Sequence, residues 1–149
     1  MNEDNVRSVE ITRIRKGLYE ATNSHGVKMV FGNDNTQSFS AVELLLTAIA
    51  GCSGTDVDFI TSKRAEPADF HVSISGDKVR DDAGKNHVAN IRLTFDISFP
   101  EGEEGDAARG VLERAVHQSH DRLCSVSQTV MRGTPVEVHI SGLEDTSGD

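Results

Sequence analysis

The chain has 149 residues, 36% of them hydrophobic. That is enough for one substantial core and short for two ordinary domains, so a single domain over 1–149 is expected. With 15 Lys and Arg against 24 Asp and Glu, the net charge is −9, which repels polyanions and makes nucleic acid and anionic membrane poor partners. No apolar run approaches the roughly 20 residues that span a bilayer, and the opening Met-Asn-Glu-Asp-Asn has neither part of a signal peptide, so a cytoplasmic location is expected. The two cysteines are not expected to form a permanent staple in a reducing compartment. They are either small inert core residues or reactive thiols.

From Arg7 to Gly32 the pattern is strand-like: Val9 and Ile11, then Leu18 to Ala21, then Val27, Met29 and Phe31. Breaks at Lys16-Gly17 and Asn23-Ser24-His25-Gly26 make it a three-strand antiparallel meander. Asn33 to Gln37 reads as a polar loop. A long helix is predicted from Ser40 to about Lys63, where Ser40 and Glu43 stand at the offset of a capping box. Its first half, Val42 to Ala50, is apolar on nearly every side, which predicts a central helix covered all round. Gly51 and Gly54 flank Cys52 and suggest a close backbone approach.

Alternation returns in Phe70, Val72 and Ile74, and again from Ile91 to Phe99, with an Asp81-Asp82-Ala83-Gly84 turn between. These predict a hairpin with one buried face. Pro100 to Gly105 reads as an acidic loop. From Asp106 to Leu123 apolar positions 108, 111, 112, 115, 116 and 123, with the small Ser119 in the same series, recur at three and four, the spacing of an amphipathic helix. Ser125-Val126-Ser127-Gln128 offers a second capping box, so a short helix to about Met131 should place Cys124 at its N-terminus, with Arg132-Gly133 stopping it. Val136, Val138 and Ile140 predict a last strand, and a polar, mobile tail is expected over residues 143–149. The order βββ-α-ββ-α-α-β is an α+β pattern with antiparallel strands.

Neither cysteine belongs to a Cys-x-x-Cys pair, so structural zinc is not indicated. His117, His120 and Cys124 could share one side of a helix end, which is a weak metal signal. His120 could instead be a base for Cys124 in a Cys-His hydrolase. A cysteine in an apolar helix is commonly an unreactive core residue. For Cys52 to be a thiolate it needs a nearby cation, because the macrodipole acts only within terminal turns. Arg13 and Arg15 are the candidates. Glu43 has a plain structural role as the helix-capping glutamate.

Two segments resemble the OsmC family: Val42-Glu43-Leu44-Leu45-Leu46-Thr47-Ala48-Ile49-Ala50-Gly51-Cys52, and Ser119-His120-Asp121-Arg122-Leu123-Cys124-Ser125-Val126-Ser127. The element order matches over roughly residues 7–142, and the Glu-Leu-Leu-Leu form is similar to the general OsmC-like branch of the OsmC/Ohr superfamily. The resemblance implies an intertwined homodimer with active sites at the subunit interface. It implies a thiol peroxidase for organic hydroperoxides, in which Cys52 becomes a sulfenic acid and Cys124 resolves it as a disulfide. A dithiol such as dihydrolipoamide is the implied reductant, with no metal, haem or flavin as cofactor. Arg15, in Arg15-Lys16-Gly17, is similar to the family's Arg-x-Gly arginine that stabilises the thiolate, with Arg13 as competitor. The family's peroxidases hold that arginine with a glutamate ten residues before the first cysteine, a catalytic role for which Glu43 is the candidate in this chain. Here Val42 holds that position, and Glu43 stands one residue later, about 100° around the helix. The alternative implied by this departure is an OsmC-fold dimer that binds a small apolar ligand with little turnover.

Overall fold

A computed structural model of the chain describes residues 5–33 and 37–143. The three-strand meander forms as predicted: β1 (Val9–Arg15), β2 (Leu18–Asn23) and β3 (Lys28–Gly32), in the order β1-β2-β3 with antiparallel neighbours. Asn23 closes the second turn itself, its Oδ1 accepting the backbone N–H groups of His25 and Val27 at 3.0 Å each. This is the asparagine side-chain turn that the Asn-Ser-His-Gly cluster encodes. In β1 the register shifts between Arg13 and Arg15.

The long helix α1 runs from Ala41 to Thr61. At its start Glu43 Oε1 accepts the Ser40 N–H at 2.9 Å, and Ser40 Oγ accepts the Glu43 N–H at 3.1 Å. The predicted capping box is thus formed in both directions. With 21 residues α1 is long and apolar enough to cross a membrane by length and composition, which revises the expectation that no stretch comes near that size. The central helix of a soluble fold meets the same test, and α1 also carries Glu43, Asp56 and Asp58.

The hairpin follows as β4 (Asp69–Arg80) and β5 (Asn86–Ser98). The acidic loop is shorter than predicted, because α2 (Glu103–Gln118) begins inside it, with Glu103, Glu104 and Asp106 in its first turn. Carboxylates there complement the positive end of the helix dipole, so what reads as loop composition is also a helix start. A single π-helical turn, Ser119–Leu123, then leads to α3 (Ser125–Arg132). Gly133 ends α3 in the left-handed region at φ 62°, as the Arg132-Gly133 signal predicts.

The chain divides into two compact units. The first holds residues up to Ala50 and Val72–Phe95, and the second holds Gly51–His71 and residues from Asp96 onward. In the first, Ala21 and Ile49 are buried, and Tyr19 meets Phe31 with ring centroids 5.7 Å apart. In the second, Ala65, Phe99 and Ala108 form a buried cluster against which Ile97 and Leu112 pack. Arg109 fixes the start of α2 by donating to Phe99 O at 2.9 Å and pairing with Asp106.

Three further expectations are corrected. Residues 134–140 are not a strand. Val136, Val138 and Ile140 alternate as a strand would, yet Val136 is 87% exposed. Alternation marks a segment fit for pairing and does not supply the partner edge. Second, α1 is not covered all round within one chain, since Leu45 and Phe59 are exposed. Third, an added Cβ at Gly51 would meet nothing within 4 Å, so no close backbone approach occurs there in the single chain. Of the expected tail, residue 143 alone is described and is exposed; the rest lies outside the described residues.

Candidate active site

The second half of α1 places Cys52, Ser53 and Asp56 on neighbouring positions of one helix face, since residues four apart lie one turn above each other. Opposite them, α2 leaves its regular path at the π turn. Up to Ser119 the inward face of this helix is spaced by three and four, with Ala108, Ala115 and Ser119 all at 0% exposure. An unbroken α-helix would turn Leu123 inward next. Instead the Cys124 N–H bonds to Ser119 O at 2.9 Å, five residues back. The added residue passes the inward position to Cys124, which is fully buried, and leaves Leu123 42% exposed. Short π turns of this kind recur at functional sites.

Both sulfurs then sit at the N-terminus of α3. Cys124 is its N-cap residue, and its Sγ accepts the Ser127 N–H at 3.4 Å. Cys52 Sγ accepts the backbone N–H of Val126. The predicted Ser125–Gln128 capping box is therefore replaced: the cysteine itself caps, and Gln128 donates its amide to His120 O at 3.0 Å. Cys52 Sγ, Cys124 Sγ and an Asp56 carboxylate oxygen lie within 4.8 Å of one another. Both cysteines are free thiols.

The surrounding hydroxyls are all engaged. Ser119 Oγ donates to Asp56 Oδ2 at 2.9 Å, and the hydroxyls of Ser53 and Ser127 hydrogen-bond to Cys124. No buried side-chain nitrogen or oxygen lacks a partner among the described residues, as a buried polar cluster requires.

The two thiols are held in opposite directions. Burial pushes the Cys52 thiol up, the Val126 N–H works against this, and the hydrogen bond and negative charge of Cys124 and the charge of Asp56 add to the rise. Burial also acts to raise Cys124, but the Ser127 and Ser53 hydroxyls, the Ser127 N–H and a hydrogen bond from Cys52 outweigh it, so this thiol falls below its ordinary value. When the pair gives up one proton, the arrangement leaves the other on Cys52, which donates to Cys124. Deprotonation belongs to the pair as a unit.

Of the residues singled out from sequence, Cys52 and Cys124 are brought together in the second unit. Arg13 and Arg15 lie on β1 of the first unit, and Glu43 is in the α1 capping box of that unit. His120 is exposed and pairs with Asp121 at 2.9 Å, while His117 faces Glu113 at 4.0 Å. Cys124 has its hydrogen bonds from Ser53, Ser127 and Cys52, so the geometry does not favour the Cys-His hydrolase reading. Sequence reasoning missed Asp56, Ser53, Ser119 and Ser127. The spacing of four from Cys52 to Asp56 is the one signal that could have found the first of them.

A two-cysteine α+β protein of this kind has known counterparts. The sequence profile of the OsmC-like protein family matches residues 32–139, and the chain belongs to that family. Similar solved structures include a hypothetical protein from Aquifex aeolicus, 26% identical, which aligns over 87% of this chain and 90% of its own length with a TM-score of 0.68. An OsmC-like protein of unknown function from Vibrio cholerae aligns over 84% of this chain and 93% of its own, with 15% identity and a TM-score of 0.71. The organic hydroperoxide resistance protein OhrB of Bacillus subtilis aligns over 87% and 92%, with 16% identity and a TM-score of 0.53. These likenesses establish an OsmC/Ohr fold. None of the curated proteins matches the sequence.

Proposed function

We propose that the protein is a cysteine-based peroxidase that reduces organic hydroperoxides in defence against oxidative stress. The observation that carries this reading is the meeting of Cys52 and Cys124 as free thiols within 4.8 Å, at the N-terminus of α3. Cys52 is half-buried and Cys124 fully buried, so Cys52 is the sulfur that a peroxide reaches. It attacks one peroxide oxygen: the S–O bond forms, the O–O bond breaks, and the alcohol leaves. The Cys124 thiolate takes the Cys52 proton and returns it to the departing alkoxide. It is then an anion again, ready to attack the Cys52 sulfenic acid, forming the disulfide and releasing hydroxide, which is protonated to water. A dithiol such as dihydrolipoamide restores both thiols by exchange.

For the first step Cys52 must be acidified beyond what its own unit provides. Arg15, with Arg13 as competitor, is the proposed cation, and an intertwined homodimer is the proposed working form. A cytoplasmic location fits two reduced cysteines.

One observation favours a second reading, a fold that binds a small apolar ligand with little turnover. Glu43 is engaged as a helix cap, and Val42 stands where the family's peroxidases carry glutamate. Stopped-flow consumption of cumene hydroperoxide with dihydrolipoamide decides between the two. Turnover that is lost in Cys52→Ser supports the peroxidase, and its absence in the wild type defeats it. Thiolate titration of Arg15→Ala and Arg13→Ala assigns the cation, with the larger rise in the Cys52 pKa expected for Arg15→Ala.

A further inference from the structure

We propose that Cys52, Asp56 and Cys124 form a binding site for a soft divalent cation of the zinc class, which occupies the two sulfurs reversibly. Three potential ligand atoms, two sulfurs and one carboxylate oxygen, already lie within 4.8 Å of one another. In a tetrahedral zinc site, with metal–sulfur distances of about 2.3 Å, sulfurs lie about 3.8 Å apart. The cluster needs only small side-chain rotations to close on an ion. Thiolates select zinc and its soft neighbours over magnesium and calcium.

The carboxylate is also oriented as a ligand would be. Asp56 is half-buried, and the fully buried Ser119 fixes it by donating to Oδ2 at 2.9 Å. Partners of this kind behind a ligand hold it in place and sharpen metal affinity. The ligands come from α1 and from the start of α3, so an ion would tie together two elements of the second unit. Cys52 and Asp56 are not fully covered, which leaves room for water as a fourth ligand. Binding releases the thiol protons to solvent, and no electron is transferred. An ion held there occupies both sulfurs and blocks attack on peroxide. That consequence rests on the peroxidase reading, whereas the site itself does not.

The test uses the reduced full-length protein and cobalt(II) as a spectroscopic stand-in for zinc, without peroxide. One cobalt per chain with sulfur-to-metal charge-transfer absorption is expected, and added zinc should displace it. The absorption should vanish in Cys52→Ser and in Cys124→Ser, and Asp56→Asn should weaken cobalt binding by about tenfold or more. X-ray absorption of the zinc-loaded wild type, which requires no substitution, should give two sulfur ligands and at least one oxygen. Absence of the charge-transfer band, its persistence in either cysteine variant, unchanged affinity in Asp56→Asn, or a zinc shell without two sulfurs would each overturn the proposal. Because no peroxide is present, failure of the peroxidase reading cannot produce any of these results.

Discussion

Cys124 accepts the Ser127 N–H at 3.4 Å, so a thiol of the candidate site is also the cap of the helix that follows it. The two roles separate on substitution. Cys124→Ser keeps an oxygen that can take the Ser127 N–H, because serine is among the preferred N-cap residues, whereas Cys124→Ala leaves that donor without a side-chain partner. The alanine variant is expected to be less stable than the serine variant by about 1 kcal/mol, and both should lose the disulfide. Urea unfolding of the two reduced variants measures the difference. Equal stabilities would show that the cap adds nothing.

The opposed thiols make a prediction about pH. Cys124 is lowered in the folded state, so its contribution to stability is present above the unfolded thiol pKa and is lost as pH falls through its folded pKa. Cys52 is raised, so its contribution is present below the unfolded value and is lost as pH rises through its folded pKa. Thiolate absorbance should therefore rise in two steps, one on each side of the ordinary cysteine range. In Asp56→Asn one of the negative charges that raise Cys52 is removed, while the amide oxygen can still accept from Ser119. The upper step should move down. An upper step that stays in place, or moves up, would remove Asp56 from the electrostatics of the site.

Apolar surface left open within each unit motivates the proposed dimer. In the first unit Val9, Ile11, Val27 and Phe39 are exposed, and in the second Phe59, Met131, Val138 and Ile140. Large apolar side chains left open in both units are what a second copy of the chain would cover. A compact monomer of this length has a radius of gyration of about 15 Å. Small-angle scattering at micromolar concentration should give a larger value and twice the monomer mass. A folded monomer under those conditions would count against the shared-site arrangement.

How far these features are legible in the sequence depends on how local their causes are. Strand alternation, the Asn23 turn, the Ser40–Glu43 box and the Gly133 stop each need only a few neighbouring residues, and each appears where the sequence predicts it. The π turn was hidden because the three-and-four spacing simply continues through Leu123, and nothing local announces the added residue that hands the inward position to Cys124. Asp56 was hidden because a carboxylate in a helix reads as part of a solvated face. Its role depends on Ser119, far along the chain. Residues 134–140 are the converse case, since their alternation meets no partner strand among the described residues.

Glu43 carries the last prediction, because a helix cap and an active-site partner make different demands on one carboxylate. Its Oε1 accepts the Ser40 N–H at 2.9 Å while Ser40 Oγ accepts the Glu43 N–H at 3.1 Å. Glutamine can keep this reciprocal arrangement with its amide oxygen, so Glu43→Gln should unfold at nearly the wild-type midpoint. Glu43→Ala cannot, and loss of a cap bond is expected to cost about 0.5–2 kcal/mol. A partner of the proposed arginine would instead need its negative charge, and glutamine would then slow peroxide reduction at unchanged stability. The observed box favours the cap, so Glu43→Gln should retain most of the wild-type second-order rate constant with cumene hydroperoxide. A rate that falls by tenfold or more, which is about 1.4 kcal/mol of barrier, with an unchanged melting temperature would defeat this assignment. Val42→Glu supplies the complementary test, since a gain in rate there would locate the missing charge one residue earlier on α1.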